Sequence, residues 1–158
     1  ITNNKNAGVI KRSIKMGVPY SVFNKKDFYE NIFLKKISLI NPKIIILAGF
    51  LLKVPENLIK KFDNKIINIH PSLLPKYGGK GMYGMHVHKE VIKNKEEQSG
   101  ISIHYVNNQY DDGKIIFQKS TKITYPFTAV ELAKKIHELE MKYFPEIIEK
   151  LIDSECYE

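Results

Sequence analysis

Apolar positions in residues 1–70 alternate between two patterns. Short runs that are mostly apolar predict strands, and stretches with apolar residues three or four positions apart predict amphipathic helices. The predicted strands are residues 19–23, 44–47 and 65–70, and the predicted helices are residues 7–16, 27–40 and 56–62. Strands that alternate with helices pair in parallel and are covered on both faces. This half of the chain therefore predicts a doubly wound architecture.

The second half of the chain has a different order of elements. Residues 101–106 and 114–120 form two predicted strands, and a turn-rich connector joins them without an intervening helix. A glycine-rich loop and a helix over residues 86–93 precede these strands, and Thr128 is expected to cap a long final helix that runs to about residue 151. The expected fold is α/β, with a doubly wound, mostly parallel sheet and an antiparallel C-terminal portion.

Length and composition are those of one globular domain. At 158 residues the chain is long enough for one core and too short for two ordinary domains, so residues 1–158 are expected to form a single domain. The longest apolar run, residues 44–52, is much shorter than the ~20 residues of a membrane-spanning helix. No cationic segment followed by an apolar stretch opens the chain. We therefore expect a cytoplasmic protein with no membrane partner.

The formal net charge of +8 raises the possibility of nucleic-acid binding. The excess is almost all lysine, however, and it is spread along the chain as it is on solvated helix faces. We therefore expect no nucleic-acid partner. The same charge would favour the capture of anionic small molecules, such as a nucleotide phosphate.

No set of metal ligands stands out in the sequence. The single cysteine, Cys156, has no partner for an intramolecular disulfide, argues against a thiolate metal site, and is expected to be an incidental surface thiol. His86 and His88 are two positions apart on a predicted helix, which places them on different faces. We therefore expect no bound metal.

Polar side chains stand at the ends of separate predicted strands. Asn68 and His70 alternate with apolar residues, so both face the same side of the sheet, and Pro71 ends their strand. Open α/β sheets bind their ligands at the carboxyl ends of strands. His104 lies on a later strand, and Asp111 lies in the connector that follows it. An amide, an imidazole and a carboxylate placed together suit an acyl-transfer site that moves protons.

Four motifs carry a specific resemblance over most of the chain. They are Asn-Ile-His-Pro-Ser-Leu-Leu-Pro-Lys-Tyr at residues 68–77, Gly-Met-His-Val-His at 84–88, Ser-Ile-His-Tyr-Val at 102–106 and Asp-Asp-Gly at 111–113. In order and spacing the chain resembles the phosphoribosylglycinamide formyltransferase family. The resemblance implies a Rossmann-like formyltransferase fold and transfer of the formyl group of 10-formyltetrahydrofolate to the amine of glycinamide ribonucleotide in de novo purine biosynthesis. It also implies that neither a metal nor a covalent enzyme intermediate takes part.

The resemblance assigns the catalytic roles to Asn68, His70 and Asp111. Asn68 would hold the carbonyl oxygen as it becomes negative, and His70 would act as the acid. Asp111 would raise the pKa of His70 and accept or relay the amine proton. His104 is expected to support this set; a core histidine on a strand is the alternative.

The resemblance also implies where the substrates bind. Residues expected to contact the folate are Lys26, Leu51, Leu52, Lys53, Val54 and Asn68, and ordinary core packing is the alternative for the loop 51–54. Glu140 is expected to hold the ammonium of the substrate, with a solvated helix charge as the alternative. The expected partners are glycinamide ribonucleotide and the folate, on a monomer or a homodimer.

The start of the chain departs from the family pattern. The family opens with a strand and a phosphate-gripping loop at a helix N-terminus, and neither precedes Ile1. We therefore expect a single formyltransferase domain that is N-terminally incomplete, either as a fragment of a longer protein or as a degenerate member. Two further alternatives stay open: another folate-dependent formyltransferase or a formyl-folate hydrolase, and a non-catalytic folate-binding module.

Overall fold

The computed structural model describes residues 1–154. Two compact units divide the chain, Ile1–Pro42 and a second unit that begins at Lys43. Cys156, which the sequence predicts to be an incidental thiol, lies outside the described residues.

The first unit holds helices α1 (Gly8–Lys15), α2 (Lys25–Tyr29) and α3 (Asn31–Ile40). Its core is aromatic, and the rings of Phe23 and Phe28 each meet the ring of Phe33 edge to face. The prediction of a strand at residues 19–23 is wrong. This segment forms only an isolated parallel bridge, in which Val22 pairs with Thr2. A strand needs a ladder of backbone hydrogen bonds. The hydrogen bonds on either side of Val22 all go to one residue, Thr2.

The single helix predicted over residues 27–40 is also wrong. The side chain of Asn24 accepts a hydrogen bond from the Asp27 backbone N–H at 2.9 Å, so α2 begins at Lys25 and Asp27 lies in its first turn. Glu30 then adopts an extended backbone conformation (φ −86°, ψ 161°) between α2 and α3. The apolar spacing runs through this break, which is why periodicity alone predicts one helix.

The second unit is built on a mixed sheet. Its strands are β1 (Ile45–Leu47), β2 (Ile66–His70), β3 (Gln98–Tyr105) and β4 (Ile115–Lys122), and they lie side by side in that order. β1 pairs in parallel with β2, and β2–β3 and β3–β4 are antiparallel. The α/β class and the antiparallel C-terminal portion are confirmed.

Three helices complete the second unit: α4 (Glu56–Lys61), α5 (Met85–Lys93) and α6 (Ala129–Ser154). Thr128 caps α6 as predicted: its hydroxyl accepts the Glu131 N–H, and the Glu131 carboxylate accepts the Thr128 N–H, in a reciprocal capping box. α6 contacts both α5 and β3. The fully buried core between them is apolar, and its members include Val87, Val91, Ile101, Leu132 and Ile136. Although α6 is 26 residues long, no helix within residues 1–154 is apolar enough over a sufficient length to cross a membrane.

Candidate active site

Two neighbouring strands bring three polar side chains to one face of the sheet. In the antiparallel register of β2 and β3, Asn68 lies opposite His104, and His70 lies opposite Ser102. Residues that face each other across such a pair, or that are two apart on a strand, share a face. His70 and His104 are only 3% and 2% exposed. The sheet therefore holds two buried imidazoles next to the amide of Asn68.

The connector after β3 places a carboxylate against both imidazoles. Asp111 Oδ2 lies 3.5 Å from His70 Nδ1, and Asp111 Oδ1 lies 3.7 Å from His104 Nε2. The same carboxylate accepts a hydrogen bond from the Gly79 backbone N–H at 2.9 Å. We refer to Asn68, His70, His104 and Asp111 as the catalytic cluster. The structure brings these four residues together, and their roles remain predictions.

Two glycines allow Asp111 to reach this position. A Cβ atom at Gly113 would overlap the carbonyl oxygen of Tyr105. A Cβ atom at Gly78 would lie 2.5 Å from a Leu74 methyl carbon and 3.2 Å from the Cβ atom of Asp111. Asp111 itself has φ 53°, in the left-handed region that aspartate tolerates better than most side chains.

The hydrogen bonds to backbone carbonyls fix the tautomers of the two imidazoles. His70 Nε2 lies 2.7 Å from the carbonyl oxygen of Tyr77, so Nε2 carries a hydrogen, and Nδ1 faces Asp111. His104 Nδ1 donates in the same way to the Tyr105 carbonyl at 2.8 Å. His104 Nε2 is then the acceptor for the Asn68 amide N–H at 3.2 Å. This contact orients the amide group of Asn68 and leaves its second N–H for another partner.

Burial decides the charge of His70. Burial lowers the pKa of the His70 imidazole, and the opposing effect of the Asp111 charge, which raises it, is smaller. The sequence predicts that Asp111 raises the pKa of His70. The Asp111 charge does act in that direction, but the net pKa is lowered, because the effect of burial is larger. For Asp111, burial raises the pKa, but the nearby His104 and His70 imidazoles and the Gly79 N–H together outweigh it, so the net effect is a lowered pKa. At neutral pH the site therefore pairs a neutral imidazole with an ionised carboxylate, and His70 Nδ1 can take up a proton beside that carboxylate.

The loop predicted to contact the folate leaves the sheet next to Asn68. β1 ends at Leu47, which pairs with Asn68 in β2, and the loop 51–54 follows. Leu51 is 58% exposed, whereas Val54 is buried. Core packing, the alternative for this loop, therefore applies to Val54 but not to Leu51. The contacts of Leu51, Leu52, Lys53 and Val54 with a folate remain predictions.

Two further predicted binding residues lie on helices. Glu140 on α6 is 3.3 Å from His137, and its charge acts on His70 in the direction that raises the pKa, against the larger effect of burial. Glu140 therefore adds a negative charge within range of the catalytic cluster. Lys26 lies on α2 in the first unit and pairs with Glu30 at 3.8 Å. The predicted contact of Lys26 with a folate remains a prediction.

His86 and His88 separate as their spacing predicts. His88 is buried on α5, whereas His86 is exposed. Burial lowers the pKa of His88, and the nearby His70 lowers it further. The expectation that no metal is bound stays a prediction.

A network below the cluster was not predicted from the sequence. The hydroxyl of Ser102 donates to the Ser72 carbonyl at 2.7 Å and accepts from the Leu74 N–H at 2.9 Å and the Gln118 amide at 2.7 Å. These contacts hold the loop after β2 against β3 and β4. The available signal was the alternation of β3, which places Ser102 on the same face as His104.

Comparison with known proteins agrees with the fold. Residues 1–148 match the profile of the family described as Formyl transferase. The chain belongs to this formyl transferase family.

Within the family, the chain is similar to phosphoribosylglycinamide formyltransferases. It is 32% identical over 151 residues to that of Bacillus subtilis (strain 168), covering 92% of this chain and 75% of the relative. It is 36% identical over 154 residues to the chloroplastic one of Arabidopsis thaliana, covering 94% of this chain and 53% of the relative. The chain thus spans about half the length of the Arabidopsis relative and of a similar one from Vigna unguiculata.

Solved structures give the same family likeness. The phosphoribosylglycinamide formyltransferase of Streptococcus pneumoniae TIGR4 superposes with a TM-score of 0.85 at 27% identity, covering 95% of this chain and 83% of that one. The phosphoribosylglycinamide formyltransferase of Coxiella burnetii superposes with a TM-score of 0.82 at 32% identity, covering 92% of this chain and 68% of that one. The resemblance that the four motifs indicate is therefore confirmed at the level of family and fold.

Proposed function

We propose that this chain carries the active site for transfer of the formyl group from 10-formyltetrahydrofolate to the amine of glycinamide ribonucleotide. The observation that carries the proposal is the catalytic cluster. Its members form a chain of contacts, each no longer than 3.7 Å, from the Asn68 amide through His104 and Asp111 to His70. The names of the relatives support the choice of substrates.

The reaction needs one proton to move. An amine attacks the formyl carbon, the carbonyl oxygen becomes negative, the amine nitrogen loses a proton, and the departing folate nitrogen gains one. No net proton is consumed, so a single group that accepts and then donates a proton is sufficient. Such a group works best when its pKa is close to the working pH.

His70 is the proposed carrier of this proton. Its Nε2 is committed to the Tyr77 carbonyl, so Nδ1 is the nitrogen that accepts the amine proton and later gives it to the folate nitrogen. The imidazolium that exists between these two steps faces Asp111 at 3.5 Å. The Asp111 carboxylate stabilises that charge and so offsets part of the effect of burial, which keeps the resting imidazole neutral.

Asn68 is the proposed donor to the oxyanion. One amide N–H is held by His104, and the second is directed to the formyl oxygen as it becomes negative. A donor fixed in this way contributes about 3 kcal/mol to the transition state. His104 therefore supports the reaction through Asn68, as a positioning residue.

The proposed binding contacts follow the prediction from the sequence. The folate ring lies against Leu51, Leu52, Lys53 and Val54, and Glu140 attracts the ammonium form of the substrate amine. The partners are proposed to be small molecules on a monomer or homodimer, without a metal or nucleic acid. The cytoplasm is the proposed compartment, although the Arabidopsis relative is named chloroplastic.

The test is an absorbance assay of folate deformylation with and without glycinamide ribonucleotide, on the natural full-length protein. The proposal predicts formyl transfer that requires the ribonucleotide, and loss of transfer in Asp111→Asn. Release of formate without the ribonucleotide would indicate a formyl-folate hydrolase instead. Folate binding by a folded protein with neither activity would indicate a non-catalytic binding module.

A further inference from the structure

Glu96 ties the loop after β2 to the segment that leads into β3. Its carboxylate lies 3.0 and 3.2 Å from the Lys76 ammonium and accepts the Tyr77 hydroxyl at 2.9 Å. The Glu96 side chain is 23% exposed, and these two partners lie outside the catalytic cluster. Its two partners are consecutive residues, and the carbonyl of the second is the acceptor for His70.

Tyr77 is held in an unusual backbone conformation. Its φ is 57°, in the left-handed region that non-glycine residues with large side chains rarely adopt. Such a conformation persists only when the surroundings maintain it. The ring packs against the core cluster that includes Val87 and Val91, and the hydroxyl at its tip is bound by Glu96. The two ends of Tyr77 thus have different partners: Glu96 at the phenol and His70 at the carbonyl.

We propose that Glu96 is a positioning residue for His70, acting through the phenol of Tyr77 to fix the carbonyl that keeps a hydrogen on His70 Nε2. This leaves Nδ1 free to accept a proton on the side of Asp111. The inference deepens the proposed function, since it matters for catalysis only if His70 carries the proton.

The phenol contact is the important one of the two that Glu96 makes. Lys76 is 68% exposed, and an ion pair of that kind contributes little. The contact of Tyr77 is a hydrogen bond to an ionised acceptor from a half-buried donor, which is a stronger interaction. The hydrogen bonds from Lys76 and Tyr77 hold the pKa of Glu96 below its ordinary value, so the acceptor stays ionised. Burial, followed by the bond to Glu96, raises the pKa of Tyr77, so the donor stays protonated.

Loss of the phenol contact has a defined consequence at His70. Without a fixed carbonyl at Nε2, the neutral imidazole gains by placing its hydrogen on Nδ1 instead, where the ionised Asp111 accepts it. Nδ1 then has no lone pair for the amine proton. The catalytic cluster would be complete in composition but in the wrong tautomer.

The test is ¹⁵N NMR of the His70 imidazole at about pH 8, above the ordinary titration range of histidine. Glu96→Ala and Tyr77→Phe should each shift His70 from the Nε2–H toward the Nδ1–H tautomer. Glu96→Gln keeps an oxygen acceptor for the phenol and should restore most of the wild-type spectrum. The matched control is Glu97→Gln, which changes the exposed neighbour and should leave the spectrum unchanged.

Formyl-transfer kinetics on the same proteins give the second measurement. Glu96→Ala should lower kcat by up to about a hundredfold, the order expected for a misplaced reacting group, with the KM for the folate within about twofold. A folded Glu96→Ala or Tyr77→Phe protein with the wild-type His70 tautomer overturns the inference, even if its kcat falls, because the role of Glu96 is then merely structural. The tautomer is measured without substrates, so a tautomer shift in a protein with no transferase activity would contradict the proposed function and not this inference.

Discussion

The catalytic cluster and the loop 51–54 are two parts of one proposed site, and they are built in opposite ways. In the cluster, His70 and His104 are buried, and both nitrogens of His104 and the Asp111 carboxylate have polar partners from the protein. In the loop, Leu51 is 58% exposed and has a side chain with no polar atoms. The cluster is therefore organised before any ligand arrives, whereas the exposed side chain of Leu51 would gain its contacts only from a ligand.

Because of this difference, we expect the cluster to control kcat and the loop to control KM. Preorganised donors and proton carriers act in the transition state, so removing one lowers kcat. An apolar surface that binds ground state and transition state equally lowers KM without changing kcat. Variants of the cluster and of the loop should therefore have different phenotypes.

The largest effect is expected from His70→Ala. It removes the proposed proton carrier, and general acid–base groups contribute about 10²- to 10⁴-fold to rates. We expect kcat to fall by that order, while the Kd for a folate analogue changes by less than about threefold, because the His70 side chain is only 4% exposed and offers little contact surface. Steady-state transfer kinetics and a fluorescence titration measure the two quantities. Near-normal turnover would remove His70 from the mechanism.

Asn68→Ala should have the next largest effect. Loss of one oxyanion donor costs about 3 kcal/mol, or on the order of a hundredfold in kcat. His104→Ala should give a smaller loss, because it only releases the Asn68 amide from its hydrogen bond. An equal or larger loss in His104→Ala, measured by the same transfer assay, would show that His104 acts directly on the substrate.

Leu51→Ala should have the smaller effect that belongs to the loop. Removing part of an apolar contact costs about 1 kcal/mol, or about fivefold in the KM for the folate, with kcat unchanged. Because Leu51 is exposed, the melting temperature without ligand should not change. A matched Val54→Ala variant changes a buried residue of the same loop and should lower the melting temperature. A fall in kcat for Leu51→Ala would contradict the division of roles.

The smallest effect expected is a pH dependence of stability from the buried histidines. Burial lowers the pKa of both His70 and His88 in the folded state. Between these lowered values and the unfolded value of about 6.5, the unfolded state binds more protons, so stability is complete above about pH 6.5 and falls as the pH drops through this window. Denaturant unfolding at several pH values measures the slope. His88→Gln should reduce the slope, and an unchanged slope in this variant would contradict the prediction.

The sequence predicts the cluster better than it predicts the chemistry around it. Asn68 and His70 are two apart on a strand that Pro71 ends, so their shared face follows from local geometry. The acceptor for His70 is a backbone carbonyl, which carries no residue-type signal in a sequence. The net pKa shift of His70 depends on burial by distant parts of the chain, so the charge of Asp111 alone gave the wrong net direction.

The fold shows the same division between local and distant causes. Thr128 and Glu131 stand three apart before an apolar run, and this capping box is readable locally. Asn24 and Asp27 are both good helix caps, and the choice of Asn24 together with the extended Glu30 is not visible in the apolar spacing. The segment at residues 19–23 has the composition of a strand, and whether it forms a ladder depends on its neighbour in space.

Proton transfer at the catalytic cluster is tested most sharply by the single-turnover rate of formyl transfer in Asp111→Asn, compared with Leu51→Ala, at saturating folate and glycinamide ribonucleotide. Asparagine keeps the shape of the side chain but removes the charge that faces His70 at 3.5 Å. We expect a fall on the order of a hundredfold or more for Asp111→Asn and an unchanged rate for Leu51→Ala. A near-normal rate for Asp111→Asn would contradict a proton-transfer cluster at this site.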